Sequence, residues 1–318
     1  MNRSKILGAS ALASLMTAGV AQAEMSVSGY VLGAFADSDG GGVSNYNTSE
    51  TVTVSYSDSL DNGMGIAVGM DITSAIGSYV TVDTGMGSVT FSASGKGDSA
   101  LDKVDGSTVC FSMYYCGAAY NATYNDGDEV SGNSIRYVAP AINGFTIQAS
   151  MGLEGTYDNS SHTNAGASNA AGSATEAVLS TNSVGVTGSI MGASVKAGFA
   201  DINYDQAGGS TSVDQTPSMY AVGYSLAGLD LGYAFYDSDD TASSEETQYG
   251  VGTSMMGMYL GAQFATHDTT GNDTDYMTLS AIKSMGPASF SYEYIEVDQA
   301  GGTTADTDTH LVAYSIGF

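Results

Sequence analysis

Short runs in which apolar and polar side chains alternate recur along the whole chain, and the gaps between them are alternately short and long. Residues 49–57 put Val52, Val54 and Tyr56 on one face and Thr51, Thr53 and Ser55 on the other. Residues 145–151 do the same with Phe145, Ile147, Ala149 and Met151 against Thr146, Gln148 and Ser150. A period of two belongs to a strand with one apolar face. The short gaps carry tight-turn chemistry, as at Asn62-Gly63, Asn143-Gly144, Met191-Gly192, Ala227-Gly228 and Met256-Gly257. The long ones, among them 154–175, 203–217, 237–246, 267–274 and 296–308, are polar and rich in Gly, Ser, Thr and Asp. This parse predicts about sixteen strands, and sixteen tilted spans of about 9 to 11 residues use roughly half of the chain. Alternation by itself fits a secreted sandwich as well as a barrel in a membrane. The long-short asymmetry separates them, because a transmembrane barrel has short turns on one rim and long loops on the other, whereas a sandwich supplies no reason for it. The expectation is an all-β, transmembrane antiparallel β-barrel of sixteen strands.

The longest gap, 95–132, lies between the strand-like runs 89–93 and 135–138. A connection of this length without regular structure is usually functional. This third long loop is expected to fold into the barrel and narrow it, which makes the molecule a pore. It carries Asp98, Asp102, Asp105, Asp126, Asp128 and Glu129 against Lys96 and Lys103, a net charge of −4. Alternation also turns Asp71, Arg136, Gln148, Lys196, Gln263 and Glu293 toward the interior. With the loop acids and Lys103, the charged members of this set are the candidate pore-lining and constriction residues.

Arg3 and Lys5 precede a broken apolar run at 6–20, and Ala21-Gln22-Ala23 supplies a small-x-small cleavage pattern. This reads as a signal peptide over 1–23, with the barrel occupying 24–318. The run is too short and interrupted for a spanning helix, which needs about 20 apolar residues. Removing Arg3 and Lys5 leaves five basic residues against 34 acidic ones, a net of −29. Nucleic acid is excluded as a partner, since phosphate binding requires clustered Lys and Arg. Tyr and Phe near strand ends are expected to form the interfacial girdles, with Tyr replacing the absent Trp.

The chain stops on Val312-Ala313-Tyr314-Ser315-Ile316-Gly317-Phe318, with Tyr314, Ile316 and Phe318 on one face. This resembles the C-terminal signature of outer-membrane barrels, which the barrel-assembly machinery reads. The whole mature chain resembles the sixteen-stranded general diffusion porins of Gram-negative bacteria, especially the alphaproteobacterial type. The resemblance implies a homotrimer in the outer membrane, in contact with lipid and lipopolysaccharide. It further implies a water-filled lumen in each subunit for ions and small hydrophilic solutes, and an inward third loop that sets the eyelet. Such porins oppose an acidic third loop with a wall cluster of arginines, yet here Arg136 is the only arginine after position 23. The expected pore is therefore cation-selective.

Cys110 and Cys116, the only cysteines, sit in the third loop of an exported protein, where a disulfide is expected. Free thiols and a shared metal site are the alternatives, and no His lies near in sequence. Asp237, Asp239 and Asp240, with Glu245 and Glu246, are candidate outer-loop ligands for Ca2+ or Mg2+, though no EF-hand spacing is present, and no other cofactor is expected. His162, His267 and His310 are far apart in sequence, and the first two fall in loops. No Walker loop, HExxH or dinucleotide fingerprint occurs, and no enzymatic activity is expected. A substrate-selective outer-membrane channel and a secreted acidic adhesin or surface-layer protein are the competing functions.

Overall fold

The computed structural model describes residues 24–38, 45–60, 62–71, 78–93, 100–104, 109–113, 134–152, 155–158, 175–205, 212–237, 245–269, 272–300 and 307–318. Their strands are β1 (Glu24–Ser38), β2 (Asn45–Ser59), β3 (Gly65–Asp71), β4 (Ser78–Asp83), β5 (Ser88–Ala93), β6 (Ser134–Val138), β7 (Thr146–Gly152), β8 (Gly155–Asp158) and β9 (Thr175–Ile190). The second half holds β10 (Ala193–Asp205), β11 (Ser212–Gln215), β12 (Ser218–Leu226), β13 (Leu229–Asp237), β14 (Glu245–Met255), β15 (Met258–Thr269), β16 (Asn272–Met285), β17 (Ala288–Ala300) and β18 (Thr307–Gly317). A short helix, α1 (Ala100–Val104), lies between β5 and β6.

The eighteen segments form sixteen wall strands. β7 and β8 are consecutive pieces of one span, both paired with β9. β11 and β12 are likewise pieces of one span on β10, interrupted at Pro217, which has no N–H to give to the ladder. Every pairing is antiparallel, and β1 bonds both β2 and β18, so the sheet closes. Closure leaves no free edge and satisfies the backbone within the wall, as hydrocarbon demands. Among the described residues no helix is long and apolar enough to cross a membrane; the crossing is made by strands.

The hairpin turns at one rim follow from their dipeptides. Asn143-Gly144, Met191-Gly192, Ala227-Gly228 and Met256-Gly257 have φ values of 52 and 84, 51 and 86, 53 and 86, and 54 and 71°. Positive φ at both central residues matches a type I′ turn, whose twist suits a two-residue hairpin. Glu24 and Phe318 lie at this same rim.

Register gives each face its chemistry. On β18, Val312 and Ile316 are 52% and 44% exposed, whereas Leu311, Ala313 and Ser315 between them are at most 5% exposed. The outward set continues around the wall as Phe290 and Tyr292, Leu279, Tyr249, Leu231 and Tyr233, and Tyr220 and Val222, all exposed, with Phe264 half-buried among them. Tyr220 stacks on its cross-strand partner Phe235 at 5.2 Å and Tyr249 on Phe264 at 5.5 Å. An apolar, aromatic-rich exterior on a closed sheet is what a bilayer solvates and water does not.

Several expected loops are shorter than the sequence suggests. β8 and the first residue of β9 lie inside 154–175, β11 and the end of β10 inside 203–217, and β15 to β16 leave only two residues between Thr269 and Asn272. These stretches are too rich in Gly, Ser, Thr, Asn and Asp for a clean alternation to mark a strand in the sequence. His267, expected in a loop, belongs to β15 on its inner face, opposite Glu246.

The channel interior and its inner strap

Two pieces of the third loop lie against the inner wall. In α1, Ala100, Leu101 and Val104 are fully buried. The Ala100 N–H donates to Ser150 Oγ and Ser183 Oγ, each at 2.8 Å, and the two hydroxyls are 2.5 Å apart. These serines are inward residues of β7 and β9, which fixes the helix to that arc of the wall. The wall gives way where the helix arrives, because a Cβ on Gly185 or Gly198 would stand 2.6 or 2.7 Å from a Val104 methyl.

The second piece, 109–113, lies further round. Ser280 Oγ of β16 donates to Phe111 O at 2.6 Å, and Glu293 Oε1 of β17 accepts the Met113 N–H at 2.8 Å and the Ser291 hydroxyl at 3.0 Å. Val109 and Phe111 join Leu101 and Val104 in one buried cluster with Ala200, Met219, Ala221, Ala234, Tyr236 and Tyr259 of the wall. Met113 packs on a second cluster, Ala34, Ile295, Leu311 and Ala313. Inward Ala200, Met219, Ala221, Ala234 and Tyr236 of β10, β12 and β13, and Ile295, Leu311, Ala313 and Ala34 of β17, β18 and β1, are therefore apolar where the loop packs on them.

Register places Asp71 opposite Thr53, and it places Arg136 opposite Thr90 and Lys196 opposite Thr187 on the inner face. Arg136 donates from Nη1 to Gln148 Oε1 at 3.0 Å, so a buried amide orients the one arginine after position 23. Glu293 is inward but wholly buried behind the loop, so it holds the strap instead of facing the open passage as the sequence suggests. Asp102 and Lys103 belong to α1. Asp98, Asp105, Asp126, Asp128 and Glu129 lie outside the described residues. Gln263 is buried on the inner face, and neither its Oε1 nor its Nε2 has a protein hydrogen-bond partner.

Cys110 carries no free thiol, and Cys116 lies outside the described residues. Asp237 ends β13 opposite Glu245 on the outward face, and Asp239 and Asp240 are outside the description. Glu246, grouped with them in the sequence, points inward from β14, is buried, and accepts a hydrogen bond from Gln248. Among the described residues no group of three or more His, Cys, Asp or Glu is placed to hold a metal ion. Phe318 exchanges two backbone hydrogen bonds of 3.0 Å with Gly29, and the Tyr314 ring covers Gly33, so the terminal segment closes the wall. Ile316 faces outward opposite Val31.

The anchors Ser150, Ser183, Ser280 and the wall glycines are not singled out by sequence. Their signal is small inward residues at positions where strand propensity favours larger ones, and it acquires meaning only once the loop is placed.

A loop-deletion variant of OmpT, an outer membrane protein of Vibrio cholerae, matches the fold with a TM-score of 0.66 at 13% identity, over 93% of this chain and 99% of that one. A substituted porin of Rhodopseudomonas blastica matches at 0.64 and 15% identity, over 93% and 100%. A further refined porin structure matches at 0.65 and 14% identity, over 93% and 100%. No curated protein sequence matches the chain. The family model described as Gram-negative porin matches residues 8–317. Sixteen closed antiparallel strands, an apolar exterior and that match over nearly the full length establish that the chain belongs to the Gram-negative porin family.

Proposed function

We propose that the barrel is a passive diffusion channel of the outer membrane for ions and small hydrophilic solutes, and that it prefers cations. The observation that carries the reading is a loop with a net charge of −4 whose described pieces lie inside a closed wall. Only Arg136 and Lys196 supply inward positive charge from the described wall strands. A unit charge about 6 Å from the path separates a monovalent cation from an anion by roughly 1.4 kcal/mol in bulk-water dielectric, and salt reduces this. Export by a cleaved signal peptide over 1–23, assembly as a homotrimer, recognition of the terminal strand by the barrel-assembly machinery and a Cys110–Cys116 disulfide belong to the same reading. The reversal potential of the protein in a planar bilayer under a KCl gradient tests the preference. The sign for potassium over chloride is expected, and the sign for chloride would refute it.

A further inference from the structure

We infer that the position of the strap, and with it the width of the passage, is set by an anchor on the β14–β17 wall in which Gly250 and Gly261 form a seat for Phe111 and Glu293 ties down Met113. Glu293 is then a positioning residue that acts through its hydrogen bonds, not through its field on the passing ion. The inference rests on the channel reading above and adds which wall residues fix its constriction.

The seat is cut to the loop. A Cβ on Gly250 would stand 2.6 Å from Phe111 Cδ2, and one on Gly261 would stand 2.7 Å from Phe111 Cβ. Both lie far inside van der Waals contact, so the ring lies where ordinary strand side chains would project. Phe111 is buried there, and the Ser280 hydroxyl closes on its carbonyl at 2.6 Å. Two residues on, Glu293 accepts the Met113 N–H with no exposed surface of its own. The same Oε1 accepts the Ser291 hydroxyl, which holds the carboxylate in place under the loop.

Unit conductance and reversal potential of the full-length protein, Glu293→Gln, Glu293→Leu, Gly250→Ala and the pair Gly250→Ala with Phe111→Ala test this in planar bilayers. Glu293→Gln keeps an oxygen acceptor and is expected to retain the parent conductance and reversal potential. Glu293→Leu is expected to change unit conductance and raise open-channel noise, with the reversal potential held. Gly250→Ala is expected to lower conductance by lifting the strap into the lumen, and Phe111→Ala to restore it in the pair. If Gly250→Ala does not assemble, the two Glu293 variants carry the test. Parent conductance in Glu293→Leu, or an equal shift of reversal potential in both Glu293 variants, overturns the inference. A parent protein that forms no channel instead overturns the reading beneath it.

Discussion

Met191 shows how far a single side chain can be read in advance. Its dipeptide with Gly192 marks a turn in the sequence, but the left-handed backbone at φ 51° emerges only when the hairpin closes. The left-handed region costs a non-glycine L-residue roughly 1 to 2 kcal/mol, and Asn, which Asn143 supplies at the equivalent position, bears it best. Met191 is 97% exposed, so it has no packing to lose. Met191→Asn should therefore stabilise the barrel by about 0.5 to 1 kcal/mol, seen as a higher denaturant midpoint in detergent micelles. An unchanged or lower midpoint would show that the turn bears no such strain. Glu293 is the contrasting case. Parity turns it inward in the sequence, but only the Met113 N–H at 2.8 Å reveals that the loop stands between it and the passage.

Among elements, strands are legible where a bilayer polices them. The wall of β12 to β18 can be read residue by residue, since hydrocarbon on one side and the interior on the other enforce the period of two. The stretches rich in Gly, Ser, Thr, Asn and Asp are not legible. β8 and β11 are ladders whose polar residues look like loop, and Glu246 and His267 are lost with them. The strap is half legible: its length and acidity stand out, whereas its seats are ordinary glycines and serines until Phe111 and Ala100 arrive. Cys110, half-buried beside Phe111 and without a free thiol, bears on how firmly that strap is held. Closing the short loop to Cys116 should contribute about 2 kcal/mol on the chain-entropy model. Intact-mass analysis of denatured protein with a thiol alkylator should show no adduct before reduction and two after it. An adduct without reduction would contradict the pairing.

For the whole molecule, closure turns local alternation into a global property. With β1 bonded to β18, every outward Val, Leu and Tyr faces one solvent and every inward Gln, Thr and Ser another. Fold class and strand number follow from the sequence because they are sums over many weak periodic signals. The width of the passage does not, because it depends on where one loop comes to rest. On the proposed reading the acidic excess, a net charge of −29 over 24–318, belongs to this scale as well and biases entry toward cations. The central claim is that the closed wall encloses a water-filled route across a membrane. Single-channel recording of purified protein added to a planar lipid bilayer tests it most directly. Discrete conductance steps with a linear current–voltage relation at low voltage are predicted, and a bilayer that stays silent after verified insertion would contradict the account.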